Sequence, residues 1–291
     1  MKRQIGLSIS ASEKLTVVFA HSSILFVPGS RPDRFAKARE AGAGVTVIDL
    51  EDAVAEAAKA DARSFALGEA GRSAARLAIR LNALSTASGL ADLIALEAAG
   101  ALPEYLFLPM VEHAREVQIV TQVLGQRCPA LVPLIETPRG LRGALGIARS
   151  PNVAAVMFGG GDFAGELGVS MSWEPLLAAR QQLLLACAEA RVPAIDVPWI
   201  ALDDAAGLEQ ECRRVRALGF AAKAAIHPRQ IPVIETAFAP AAAEVAEAQA
   251  ALEAYEHAGG QVIRFRGRML EAPIVKHYRA VLARSRGQGN A

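Results

Sequence analysis

The sequence predicts a closed parallel (β/α)8 barrel, a TIM barrel, with a small, mainly helical extension at its C-terminal end. Three observations carry that reading. Eight apolar, β-rich runs recur over about 210 residues, the length such a barrel needs. Alanine- and leucine-rich stretches with helical spacing separate most of them, and strands that alternate with helices pair in parallel. The runs also end in polar or charged residues, so polar groups gather at one end of eight separate strands. In a closed parallel barrel that end, with its following loops, is the active face. An open doubly wound sheet is the rival; the count of eight and the scatter of polar residues over so many strand ends favour closure.

The runs occupy 24–27, 45–50, 77–81, 105–108, 131–135, 153–158, 194–197 and 220–226. The first leads into Pro28-Gly29-Ser30-Arg31-Pro32, and the second stops at Asp49-Leu50-Glu51-Asp52. The third ends Arg80-Leu81-Asn82 and the fourth Pro109-Met110-Val111-Glu112. The fifth ends at Glu136, the sixth at Asp162 after Gly159-Gly160-Gly161, the seventh at Asp196 and the eighth at His227-Pro228. The barrel domain is expected over 22–235, after a loose leader, 1–21. Residues 236–291 are expected to form a cap or arm: a helix from about 240 to 258, a break at Gly259-Gly260, a ribbon over 262–268 and a last helix to about 283.

Bulk properties narrow the function. The chain has 291 residues and is 52% apolar, enough for a large core. Its net charge of +1 provides no overall field toward nucleic acid or a membrane. Cys128, Cys187 and Cys212 form no CxxC pair and no metal spacing, which suits inert thiols in a reducing cytoplasm. Glu13 and Lys14 interrupt the N-terminal apolar stretch, so no signal peptide is expected, and no run approaches the ~20 residues of a membrane span.

Two acids stand out. Pro133-Leu134-Ile135-Glu136-Thr137-Pro138 and Phe158-Gly159-Gly160-Gly161-Asp162-Phe163 each bring an apolar run to one carboxylate. An acid at the end of a buried strand is costly unless positive charge meets it. On neighbouring strands Glu136 and Asp162 would face one another across the barrel mouth and share a divalent cation. Hard oxygen ligands favour magnesium, with manganese possible, over zinc. Such an ion would act as a Lewis acid toward a keto acid. Arg80, ending an apolar strand, suits a substrate carboxylate or an enolate. Glu51 and Asp52 are expected one layer further out, bonding waters on the ion. Since neighbouring strand residues point opposite ways, Asp49, Glu51 and Asp52 are not expected to line one face together. Gly161, Pro198 and Arg31 are candidate substrate contacts around the mouth. Lys223 lies within the last strand and ranks low as a Schiff-base residue beside the carboxylate pair. His227 reads as a hydrogen-bonded structural histidine.

These segments together resemble the citrate lyase β-subunit family within the HpcH/HpaI aldolases, which includes malyl-CoA and citramalyl-CoA lyase relatives. The matching pieces are Leu25-Phe26-Val27-Pro28-Gly29-Ser30, Asp49-Leu50-Glu51-Asp52-Ala53-Val54, Arg80-Leu81-Asn82, Leu134-Ile135-Glu136-Thr137-Pro138, Phe158-Gly159-Gly160-Gly161-Asp162 and Ile226-His227-Pro228 with Gln230-Ile231. They run in the family's order. The resemblance implies a magnesium-dependent lyase that cleaves citryl, malyl or related 3-hydroxyacyl thioesters, on coenzyme A or an acyl carrier, to a small keto acid and a shorter thioester. It implies a homotrimer or hexamer, and a nucleotide end of coenzyme A that meets the loop around Arg31. It also implies that the closing motif Gly267-Arg268-Met269-Leu270-Glu271-Ala272-Pro273 donates the acid–base group, often to a neighbouring subunit. The family's usual aspartate is Glu271 here, one methylene longer. Met110 stands where a lysine is common, and His21-Ser22-Ser23 replaces a more basic start; both remove positive charge near the mouth. The alternatives are a class II aldolase cleaving hydroxy-keto acids to pyruvate without coenzyme A, and a non-catalytic or carrier-dependent subunit.

Overall fold

The computed structural model describes residues 19–288. Eight parallel strands close into a barrel in chain order, β1 (Ser23–Pro28), β2 (Val45–Asp49), β3 (Leu77–Arg80), β4 (Tyr105–Leu108), β5 (Ala130–Ile135), β6 (Val156–Phe158), β7 (Ala194–Asp196) and β8 (Ala222–Ala225), with β1 pairing β8. The doubly wound alternative is thereby excluded. Between and after the strands run α1 (Phe35–Glu40), α2 (Lys59–Arg72), α3 (Ala87–Ala98), α4 (Ala114–Leu124), α5 (Pro138–Ala148), α6 (Gly160–Leu167), α7 (Trp173–Ala190), α8 (Ala205–Leu218) and α9 (Ile231–Phe238).

Strand residues alternate between two buried layers. Ile24, Val45, Val47, Tyr105, Phe107, Val132, Leu134, Met157 and Ile195 fill the barrel interior as one cluster. Leu25, Val27, Ile48, Ile79, Leu106, Leu131, Ile135 and Phe158 pack outward with the helices as another. Burial on both faces is why the strands read as continuous apolar runs rather than alternating ones. Helix starts are set by short side chains: Thr86, Thr137 and Asp204 accept from the backbone N–H of Gly89, Gly140 and Gly207. The Thr137 cap begins α5 one residue beyond Glu136, which fixes where the strand hands over to the helix.

Beyond the barrel, α10 (Ala242–His257), the hairpin strands β9 (Ile263–Phe265) and β10 (Arg268–Leu270), and α11 (Ala272–Gln288) form the C-terminal extension. It has its own small core of Ala251, Leu270 and Val275 with Tyr255, Phe265 and Tyr278 packed around them. Among the described residues no helix is long and apolar enough to cross a membrane.

Three details depart from the sequence reading. The sixth strand is shorter than 153–158; Val153 makes only an isolated bridge to Leu131. Asp162 sits in the first turn of α6, which begins two residues after the strand, instead of closing a strand. Most of the expected leader, residues 1–18, lies outside the described residues, but Phe19 is buried with His21 and Tyr105 in edge-to-face contact.

Candidate active site

A cavity of about 450 Å³ opens at the C-terminal ends of the barrel strands. Its lining mixes the polar Asp49, Asp52, Arg80, Glu136 and Asp162 and the glycines Gly159 and Gly161 with hydrocarbon from Phe26, Leu134, Met157, Met171, Val197, Pro198, Ile200 and Ile226.

The acidic side is built from strand ends inward. Strand β2 stops at Asp49, whose carboxylate accepts the backbone N–H groups of Glu51 (3.0 Å) and Ala53 (3.3 Å). That turn ends the strand alternation and brings Glu51 and Asp52 round to the same cation as Asp49. Arg80 is the register partner of Asp49 on β3 and holds it with both edges, Nε to Oδ1 at 2.6 Å and Nη2 to Oδ2 at 2.7 Å. Its Nη1 donates to Asp52 Oδ2 at 3.2 Å and lies 2.8 Å from Glu51 Oε2, outside hydrogen-bonding geometry. All three acids therefore converge on Arg80, against the expectation that alternation would part them. Burial pushes the Glu51 carboxyl up to about 8, although Arg80 opposes the shift. Burial alone would lower the Arg80 guanidinium, but the hydrogen bonds and charge of Asp49, with Glu51 and Asp52, hold it above its ordinary value.

Glu136 follows β5 and is 3% exposed. Its Oε2 accepts the Met110 N–H at 2.6 Å. Met110 presents that N–H from a left-handed backbone conformation, φ +53°. Gly159 packs directly on Glu136: a Cβ there would lie 2.2 Å from its Cγ and 2.5 Å from its Oε1. Burial pushes the Glu136 carboxyl up to about 7, opposed by the Met110 N–H and Arg80 and reinforced by the charge of Asp162. The Asp162 carboxyl is likewise raised, by burial and then by Asp52. These two carboxylates thus share one cavity, the charge of Asp162 reaches Glu136, and neither has an ion-pair partner among the described residues, Arg80 being committed to the acids of β2 and its turn.

Such a pair fits a hard divalent ion. Among the described residues no group of three or more His, Cys, Asp or Glu forms a metal cage. Two carboxylates leave the remaining positions to water and substrate oxygens, as magnesium prefers, and do not make a closed zinc site.

The other sequence-derived candidates divide. Arg80, Asp52, Gly161, Pro198, Glu136 and Asp162 line the cavity, and Glu51 reaches Arg80 from just outside it. Arg31 does not line it; its guanidinium is bidentate to Asp33 at 2.9 and 2.8 Å. Glu271 joins β10 to α11, where its carbonyl accepts the Val275 N–H at 2.9 Å, and is not a lining residue within one chain. Asp196, expected at the active face, is fully buried behind it, bonded by Arg180 Nε at 2.8 Å and Lys223 Nζ at 2.7 Å. Lys223 also donates to Glu211 at 2.7 Å and to the Val197 carbonyl, and its acid partners hold its ammonium protonated, so it is not poised as a nucleophile. His227 Nδ1 accepts the Arg229 N–H at 3.1 Å, a structural cap. The roles of Arg180 and Glu211 were not read from sequence. The one hint for Arg180 was a lone charge in the apolar stretch Leu176-Leu177-Ala178-Ala179-Arg180.

Residues 22–228 match the family model HpcH/HpaI aldolase/citrate lyase, and 172–289 match a C–C bond lyase of the TIM-barrel fold. The chain belongs to the HpcH/HpaI aldolase/citrate lyase family. It is accordingly a carbon–carbon lyase by family. It is 35% identical to a citrate lyase subunit beta-like protein of Mycobacterium tuberculosis over 90% of this chain and 94% of that one. It is 30% identical to the mitochondrial citramalyl-CoA lyase of Homo sapiens over 94% of this chain and 87% of that one. Among solved structures, the protein CitE of M. tuberculosis in complex with magnesium, acetoacetate and coenzyme A is 33% identical and superposes with a TM-score of 0.79, covering 92% of this chain and 98% of that one.

Proposed function

We propose that this protein reversibly cleaves a 3-hydroxyacyl thioester such as citryl-, malyl- or citramalyl-CoA into a keto acid and a shorter acyl thioester. The observation that carries the reading is that Glu136 and Asp162, with no ion-pair partner among the described residues, line one cavity at the strand ends. They would hold a magnesium ion, for which manganese can substitute, and the ion would supply Lewis acidity at the keto acid's oxygens. The magnesium, acetoacetate and coenzyme A bound to the similar M. tuberculosis protein support this choice.

The chain's own groups then divide the work. A base takes the proton of the 3-hydroxyl; the carbinol becomes a ketone, and the electrons of the broken carbon–carbon bond pass to the thioester enolate, which is then protonated. Arg80 stabilises the charge developing on the enolate, and the two Asp49 hydrogen bonds hold it in place so that it need not reorganise. Glu51 and Asp52 would accept hydrogen bonds from water on a bound ion. Gly161 and Pro198 contact the substrate, and Arg31 at the rim meets the anionic end of coenzyme A. Glu271 is the acid–base group, delivered by a neighbouring copy in a homotrimer or hexamer; its position away from the cavity within one chain accords with that. A cytoplasmic location completes the proposal.

Mass spectrometry of products from malyl-, citramalyl- and citryl-CoA, with magnesium and with EDTA, tests it. Magnesium-dependent release of a shorter acyl-CoA is expected. Cleavage of hydroxy-keto acids alone, with the thioesters untouched, would replace it with the aldolase reading.

A further inference from the structure

The turn after β2 carries Glu51 and Asp52 to Arg80, and it is fastened from behind by Lys59, the first residue of α2. The Lys59 ammonium reaches back across the loop and donates to the carbonyls of Leu50 and Glu51, both at 3.0 Å. Its third proton goes to Asn82 Oδ1, just beyond β3. All three acceptors are neutral, so the charge strengthens hydrogen bonds instead of neutralising a carboxylate. Asn82 is itself fixed. Its backbone N–H and Nδ2 donate to Asp92 Oδ2 at 2.8 and 2.7 Å, and Arg63 Nε, one turn beyond Lys59 on α2, donates to Asp92 Oδ1 at 2.6 Å. The clasp thus stands on α2, α3 and the end of β3.

These bonds lead to Arg80. The peptide joining Leu50 to Glu51 accepts from Lys59 at its carbonyl and donates from its N–H to Asp49 Oδ1 at 3.0 Å. A peptide polarised at one end is a stronger donor at the other. Asp49 in turn takes both edges of Arg80, at 2.6 and 2.7 Å. A continuous line of hydrogen bonds therefore runs from Lys59 through one peptide and Asp49 to the guanidinium, although Lys59 does not line the cavity. The Glu51 carbonyl also takes the Val54 N–H at 3.1 Å, which closes the turn on itself.

We propose that Lys59 is a positioning residue: it clamps the β2 turn so that Asp49, Glu51 and Asp52 hold Arg80 where the enolate charge develops. The catalytic consequence rests on the lyase reading; the clamp itself does not. Without the ammonium, two backbone carbonyls and Asn82 Oδ1 lose a donor, and the turn is free to move. The guanidinium then has to be reoriented during the reaction, which the bound geometry spares it.

The test uses the full-length protein at saturating magnesium, well below its unfolding midpoint, and the variant Lys59→Met, which keeps the length of the side chain and removes its charge and donors. In turnover of the thioester that the wild type cleaves, kcat is expected to fall about tenfold or more with KM within about threefold, because Arg80 acts on charge that appears only in the transition state. Hydrogen exchange read by mass spectrometry is expected to speed up at least about tenfold over residues 50–54 and to stay at the wild-type rate over 131–135 of β5. A merely structural lysine would lower the unfolding midpoint and leave kcat of the folded protein unchanged, and that result overturns the proposal. Unchanged exchange over 50–54 overturns it too, whether or not any thioester is cleaved. Faster exchange there, with no thioester cleaved even by the wild type, overturns the lyase reading and leaves the clamp standing. If Lys59→Met does not fold, Lys59→Gln takes the same two measurements. Failure of both to fold overturns the proposal, because the fold itself then needs Lys59.

Discussion

Replacing Glu136 with glutamine should stabilise the metal-free protein while removing its response to magnesium. The Glu136 carboxyl is buried and raised from 4.5 to about 7. The sign follows from linkage. In the unfolded chain the acid ionises near 4.5, whereas in the fold it keeps its proton until about 7. Its contribution is therefore fully present at low pH and is lost as pH rises from about 4.5 through 7. The gap corresponds to roughly 3 kcal/mol at pH 8. Glutamine never ionises, and its amide oxygen can still accept the Met110 N–H. At pH 8 in EDTA, Glu136→Gln should thus unfold at a temperature higher by about 5 °C, given the unfolding entropy of a chain this long. At pH 4 the two proteins should match. Magnesium should raise the midpoint of the wild type at pH 8 and leave the variant where it is. Thermal unfolding followed by circular dichroism reads all three. A variant no more stable than wild type at pH 8 in EDTA, or one that magnesium still stabilises, would refute the reasoning.

Gly159→Ala should act on the same carboxylate by contact. Its new Cβ would fall 2.2 Å from Glu136 Cγ, so the side chain must shift, and magnesium affinity measured by calorimetry should drop at least about tenfold with the far-ultraviolet spectrum unchanged. Unchanged affinity would show that the close approach does not position Glu136. Lys223→Met leaves Asp196 fully buried with one partner fewer and should destabilise the protein by about 3–5 kcal/mol in urea titration. A loss under about 1 kcal/mol would mean that Arg180 alone satisfies that acid. Glu136→Gln and Glu271→Gln should each be inactive, yet a mixture allowed to exchange subunits should recover about a quarter of wild-type activity, because some sites then draw both intact acids from two chains. No recovery, with exchange confirmed by mass spectrometry, would place Glu271 outside the neighbour's site.

How far the fold was legible follows from what kind of force sets each feature. Buried parallel strands show as apolar runs because both faces are covered, so 45–50 and 131–135 could be placed within a residue of β2 and β5. The sixth strand was overextended because Val153 and Ala154 are buried without pairing along the whole run, and burial alone cannot tell a strand from the segment leading into it. Glu136 and Asp162 were visible as lone acids ending apolar runs. The convergence of Asp49, Glu51 and Asp52 was not, because alternation holds only while the strand lasts, and the Asp49 turn ends it. Asp196 looked like an active-face acid from its place in the run. Its actual partners are Arg180 of α7 and Lys223 of β8, with Glu211 of α8 sharing both cations, and that arrangement depends on how those helices cover the barrel, which no spacing in the chain records.

Anomalous diffraction from a crystal of the full-length protein soaked in manganese tests the central claim most directly. The account predicts one strong peak per chain within coordinating distance of the carboxylates of both Glu136 and Asp162. A peak bound to only one of them, or to neither, would contradict it.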